Sequence, residues 1–87
     1  MEMIAFTLLD TKSGIHHPPF FMVHVGQAIR ACQDLGGDLN TSVGRHPADF
    51  MLVRLGTFDD QSGAFTNAYE PMMTVVSLLP VKPEGML

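Results

Sequence analysis

The sequence predicts an α+β fold: a small, mainly antiparallel sheet with one amphipathic helix packed across it. Three observations point there. Runs of strand formers near the start and in the middle of the chain each end in turn chemistry. A segment between them switches to helical periodicity. The chain has 87 residues, enough for one compact domain and too few for two, so residues 1–87 are expected to form a single unit, with a core over about 3–79 and an extended tail over 80–87.

Ile4 to Leu9 are mostly apolar and β-prone, and Asp10-Thr11-Lys12-Ser13-Gly14 stops them; the first strand is expected over about 3–9. Pro18-Pro19 fixes two φ angles and removes two donors, so residues 15–19 form an extended loop. Phe20 to His24 suits a short strand leading into a helix that starts near Val25. Ala28, Ile29, Cys32 and Leu35 share one helical face, with Gln27, Arg30, Gln33 and Asp34 opposite. Arg30 and Asp34 are spaced to pair weakly, and Gly36-Gly37 offers a left-handed residue to end the helix. Residues 37–48 read as loop, with one helical turn starting at Pro47. Phe50 to Phe58 reads as a strand, Asp59-Asp60-Gln61-Ser62-Gly63 as a hairpin turn, and about Ala64 to Asn67 as the return strand. Thr74 to Leu78 is expected to be another short strand, and its period alone also allows a helix.

Alternation along the middle strand puts Met51, Val53 and Leu55 on one face and Leu52 and Arg54 on the other. A single helix covers one face only. Apolar residues make up 46% of the chain and charged residues 16%, against roughly a quarter charged in an ordinary domain. Seven methionines add adaptable contact surface. These features predict a two-fold homodimer, with Leu52, Val76 and Leu78 as interface candidates. The rival is a tail, residues 71–87, that folds back over the same face.

The composition also narrows the function classes. Cys32 is the only cysteine, so a disulfide scaffold is excluded and a reducing cytoplasm is expected. No segment has the length of a membrane span, and Met1-Glu2-Met3 carries no secretory basic region. A net charge of −4 disfavours a protein that coats nucleic acid through many phosphate contacts. His16, His17, His24, His46 and Cys32 lack the paired spacing of a metal site. Asp59 to Glu70 has the ends of a calcium loop but a strand pattern within it. Cys32, on the apolar helix face, suits a core position rather than a nucleophile. No phosphate-binding, dinucleotide-binding or nucleophile-elbow motif occurs. No enzyme activity and no cofactor are therefore expected. A modest single-stranded DNA surface would draw on Lys12, Arg45, His46 and Arg54 for phosphates and on Phe20 and Phe21 for stacking on bases; the competing role of the two phenylalanines is to close the core.

Four strings occur in order: Pro18-Pro19-Phe20-Phe21, Gly26-Gln27-Ala28-Ile29-Arg30-Ala31, His46-Pro47-Ala48-Asp49-Phe50, and Leu55-Gly56-Thr57-Phe58-Asp59-Asp60 with Gly63. Together they resemble the small non-structural protein of microviruses, the tailless icosahedral single-stranded DNA phages, and of their gokushovirus branch in particular. The resemblance spans roughly residues 4–71. Gln27 stands where an acidic residue is common in that pattern, and Phe50 where tyrosine is. The resemblance implies a DNA-binding, non-structural role in the cytoplasm of an infected bacterium. There the protein would help switch replication from double-stranded to single-stranded genome synthesis, by binding a phage or host replication protein. The alternative is a virion-associated or scaffold-like assembly component.

Overall fold

The computed structural model describes residues 1–80 and has an α+β fold. Strand β1 (Glu2–Asp10) is followed by β2 (Ile15–His16), β3 (Phe20–Met22), helix α1 (Val25–Gly36) and a one-turn helix α2 (Ser42–Arg45). A 3-10 turn (Pro47–Asp49) leads into β4 (Phe50–Asp59), which hairpins into β5 (Phe65–Thr74); a second 3-10 turn (Val75–Leu78) follows. All strand pairs are antiparallel, in the order β2-β1-β4-β5, and β3 shares one side of β1 with β2.

The two prolines explain why β2 and β3 are separate. β3 pairs with Ile4 to Phe6 of β1, and β2 pairs with Leu9 and Asp10. Between them Pro18 and Pro19 have no N–H to give. The gap is held instead by His17 N–H, which donates to the Leu8 carbonyl at 2.9 Å, and by the fully buried Thr7, whose Oγ1 donates to the His17 carbonyl at 2.6 Å.

Helix α1 starts where expected, and its cap explains why glutamine serves at position 27. Gln27 Oε1 accepts from the backbone N–H of both Val23 and His24 at 3.0 Å, a task for a carbonyl oxygen that needs no charge. The buried stripe is Ala28, Cys32 and Gly36; Leu35, expected on that stripe, is 37% exposed. The glycine pair also works differently from expectation. Gly37 has φ −87°, so no left-handed residue ends the helix. Gly36 is needed for closeness: a Cβ there would lie 2.7 Å from Val75 Cγ1 and 2.8 Å from Leu79 Cδ2. Arg30 and Asp34 do not pair; the ion pair among the described residues joins the Met1 amino group to Asp60.

The core lies between α1 and one face of the sheet. Phe6, Leu8, Ala28, Cys32, Val43, Phe50, Leu52 and Val75 form it, with Phe20, Ile29 and Leu78 packed against its edge. Burying each large side chain there contributes about 1.5–3 kcal/mol.

Two sequence-based expectations are corrected. Leu52 is fully buried in this core, so it lies on the helix side rather than on the face away from it. The middle strand is apolar on both faces, and its period alone does not say which one the helix takes; pairing decides, since Leu52 sits opposite the core residue Leu8. Residues 75–78 form a 3-10 turn and no strand; β5 runs on to Thr74, and Val75 then turns inward against Gly36. Leu78 rests on the core's edge, with its carbonyl accepting from Gln33 Nε2 at 3.3 Å, while Val76 is exposed. The expected extended tail lies, past Pro80, outside the described residues.

Candidate functional site

The face of the sheet away from α1 follows from register. Cross-strand partners in antiparallel pairs share a face. Met3 pairs with Phe58, and Phe58 with Phe65, so these three form a row across β1, β4 and β5. Phe21 of β3 pairs with Ala5, two residues along from Met3, and its ring centroid lies 5.7 Å from that of Phe58. Phe21 and Phe65 are 39% and 44% exposed. This row is the aromatic end of the open face.

The other end of the same face is strapped. His16 of β2 shares a face with its partner Leu9, opposite the core residue Leu8. Its Nε2 lies 2.6 Å from Tyr69 Oη, and the two rings meet edge-on at 5.6 Å. Since β2 and β5 are the outer strands, this bond reaches across β1 and β4, where Thr7 and Val53 are paired and fully buried. Tyr69 gets there through a bulge: β5 places Ala68 and Tyr69 against the single Leu55 between Gly56 and Arg54. Gly56 makes the bulge possible. Its φ is +149°, and a Cβ there would run into the Thr66 carbonyl oxygen.

The residues expected to meet single-stranded DNA are only partly brought together. Lys12 lies in the turn after β1, and the neighbouring Thr11 donates from its N–H and Oγ1 to the Asp49 carbonyl at 2.9 and 2.8 Å. This ties the turn to the segment that carries Arg45 and His46, so all three basic side chains sit at one end of the sheet and are exposed. Arg45 Nη1 donates to the Leu39 carbonyl at 3.1 Å. Phe20 is not part of that cluster: it stacks on Phe6 at 5.7 Å and seals the core. Phe21 is on the open face, and Arg54 is half-buried across from Glu70.

The remaining chemistry-bearing groups have structural surroundings. Cys32 is buried, and burial pushes its thiol up to about 11, leaving the unreactive protonated form at neutral pH. Asp59 Oδ1 accepts from the Gln61 and Ser62 N–H groups in the hairpin turn, which holds its carboxyl below the usual range. Asp10 is lowered in the same way, chiefly by the Lys12 N–H. Among the described residues no three His, Cys, Asp or Glu side chains gather as a metal site, and no helix is long and apolar enough to cross a membrane.

The sequence reading missed Phe58, Phe65 and Tyr69. The first two were within reach, because a hairpin turn centred on Gln61 makes them facing partners. Tyr69 was not, since its placement depends on a bulge.

The family model for the phage ORF5 protein matches residues 3–80, which includes α1 and, apart from Glu2 at the start of β1, every strand. The chain belongs to the phage ORF5 protein family. No curated protein and no solved structure matches it. Membership makes this a phage protein and leaves its role open.

Proposed function

We infer that this phage ORF5 family protein is non-enzymatic and acts in viral DNA replication, in the switch from double-stranded to single-stranded genome synthesis. It works in the cytoplasm of the infected host by binding a phage or host replication protein. One observation carries the binding part of this reading: an uncharged, partly exposed aromatic row at the unstrapped end of the sheet face away from α1. Exposed contiguous apolar surface of this kind marks interaction sites. The replication part rests on the microvirus-like motif order, and family membership supports the phage origin.

The same reading gives the protein a weak contact with single-stranded DNA through Lys12, Arg45 and His46. Few cations and a net charge of −4 keep that contact salt-sensitive. Affinity capture of the tagged full chain from infected cells, with mass spectrometry of what is retained, tests the main claim. Replication proteins should be recovered, and the protein should be absent from purified virions. Recovery of capsid proteins alone, with the chain present in virions, would make it an assembly component instead. In an oligonucleotide titration at low salt, Arg45→Ala and Lys12→Ala should weaken binding, and Asp34→Ala should not.

A further inference from the structure

We propose that the open face of the sheet is a two-fold interface that packs against the same face of a second copy of this chain. The proposal rests on the binding part of the reading above, whose face it uses, and names the occupant of that face as a second copy; self-association tests it separately from capture of a replication protein. It starts from charge. The chain carries −4 overall, yet the paired residues on this face, from Leu9 and Met51 to Met3, Phe58 and Phe65, include no charged side chain. Two copies can therefore meet here without placing like charges opposite one another, and their carboxylates stay at the rim. Glu2, Asp59 and Asp60 lie at the aromatic end of that rim. A polyanion such as single-stranded DNA would meet these carboxylates beside the aromatic row, while Lys12, Arg45 and His46 lie towards the opposite end of the sheet, so the row itself is poorly placed to stack nucleic acid.

Size is the second argument. Four strand positions about 4.8 Å apart and roughly nine residues at about 3.3 Å each give a face of about 500 Å². Two such faces bury about 1,000 Å², near the lower bound for a specific interface. Sheet-on-sheet packing is an ordinary way to bury such a face, with aromatic rows of the two copies interleaving. The third argument is self-complementarity. At the aromatic end of the patch Met3, Phe21, Phe58 and Phe65 carry no side-chain donor or acceptor, and at the strapped end Tyr69 Oη and His16 Nε2 are engaged with each other. On a two-fold axis, Phe21 and Phe65 of one copy meet equivalent residues of the other. The strap formed by Tyr69 and His16 gives the strapped half of the interface a fixed relief. This assignment moves the expected dimer surface away from Leu52, Val76 and Leu78 to the opposite side of the sheet.

Sedimentation velocity on the full chain at about 50 μM, where an interface near −6 kcal/mol forms, decides the matter. The expected species is twice the 9.5 kDa of one chain. The double substitution Phe21→Glu/Phe65→Glu should return it to monomer, weakening association at least roughly tenfold, with the far-ultraviolet circular dichroism retained. Val76→Glu, on the helix side, should leave the dimer intact. If the double glutamate variant does not fold, Phe21→Thr/Phe65→Thr keeps strand preference and carries the same expectation. A wild-type monomer at that concentration would overturn the proposal, as would a dimer that survives the Phe21 and Phe65 substitutions. So would an oligothymidine that binds the monomer at physiological salt and loses that binding in the same variants, since the face would then belong to nucleic acid.

Discussion

On the α1 side of the sheet Phe6, Leu52 and Val75 are fully buried; on the other side Phe21, Phe65 and Tyr69 keep 39, 44 and 54% of their surface. Both sides are presented by the same strands, and both are apolar. The difference lies in what the rest of the chain can reach. One twelve-residue helix and two short turns cover one side. The other has only a tyrosine and a histidine drawn across it. A chain of this length buries roughly 60–65% of its unfolded surface, so apolar surface left over is expected. Here it is concentrated on one face, and the two faces differ: one holds the fold, and the other is the one we propose for association.

The largest effect should come from breaking the covered side. Leu52→Ala is expected to cost about 2–5 kcal/mol, because it opens a cavity beneath α1. Chemical denaturation should show the midpoint falling sharply. A loss below ~1 kcal/mol would place Leu52 outside the core.

The next largest concerns the bulge that directs Tyr69 over the open face. Gly56→Ala forces a side chain against the Thr66 carbonyl at a backbone angle that L-residues rarely adopt. A loss of about 2–4 kcal/mol in the same measurement is expected. Gly56→Ala at wild-type stability would mean that β5 runs without the bulge.

How far these features were legible in the sequence depends on how local their causes are. α1 and the β4–β5 turn were readable, because the period around Ala28 and Cys32 and the Asp59 to Gly63 turn chemistry are set by neighbouring residues. The turn closes as expected, with Gly63 N–H donating to the Asp59 carbonyl at 2.8 Å. The facing of β4 was not readable, since Phe50, Leu52, Met51 and Val53 are all apolar and only the pairing of Leu52 with Leu8 orients them. The end of β5 was missed for a similar reason. Pro71 and the exposed Thr66 to Glu70 look unlike a strand, and β5 persists because β4 pairs with it over nearly its whole length. Of the residues named from the sequence, Lys12, Arg45 and His46 fall towards one end of the sheet, while the aromatic row emerged only once strands were paired.

A smaller effect sharpens the contrast from the open side. Tyr69→Phe removes the hydroxyl that meets His16 Nε2 at 2.6 Å. The bond is exposed, so stability should fall by no more than about 1 kcal/mol. Backbone amides of β2 should nevertheless exchange faster with solvent, because β2 is only two residues long and Tyr69 is its tie to β5. Unchanged exchange at Ile15 and His16 would show that the strap holds nothing.

The most direct test of the division between the faces is the melting temperature as a function of protein concentration, from about 1 to 100 μM, for the wild type and for Phe21→Glu/Phe65→Glu. A ligand that binds only the folded state raises apparent stability by mass action, and a second copy is such a ligand. The wild-type melting temperature should climb with concentration. That of the variant should stay flat while its low-concentration value remains close to the wild type's. A wild-type curve that does not move with concentration, or a variant that has collapsed even when dilute, would contradict the assignment of the open face to association and of the covered face to the fold.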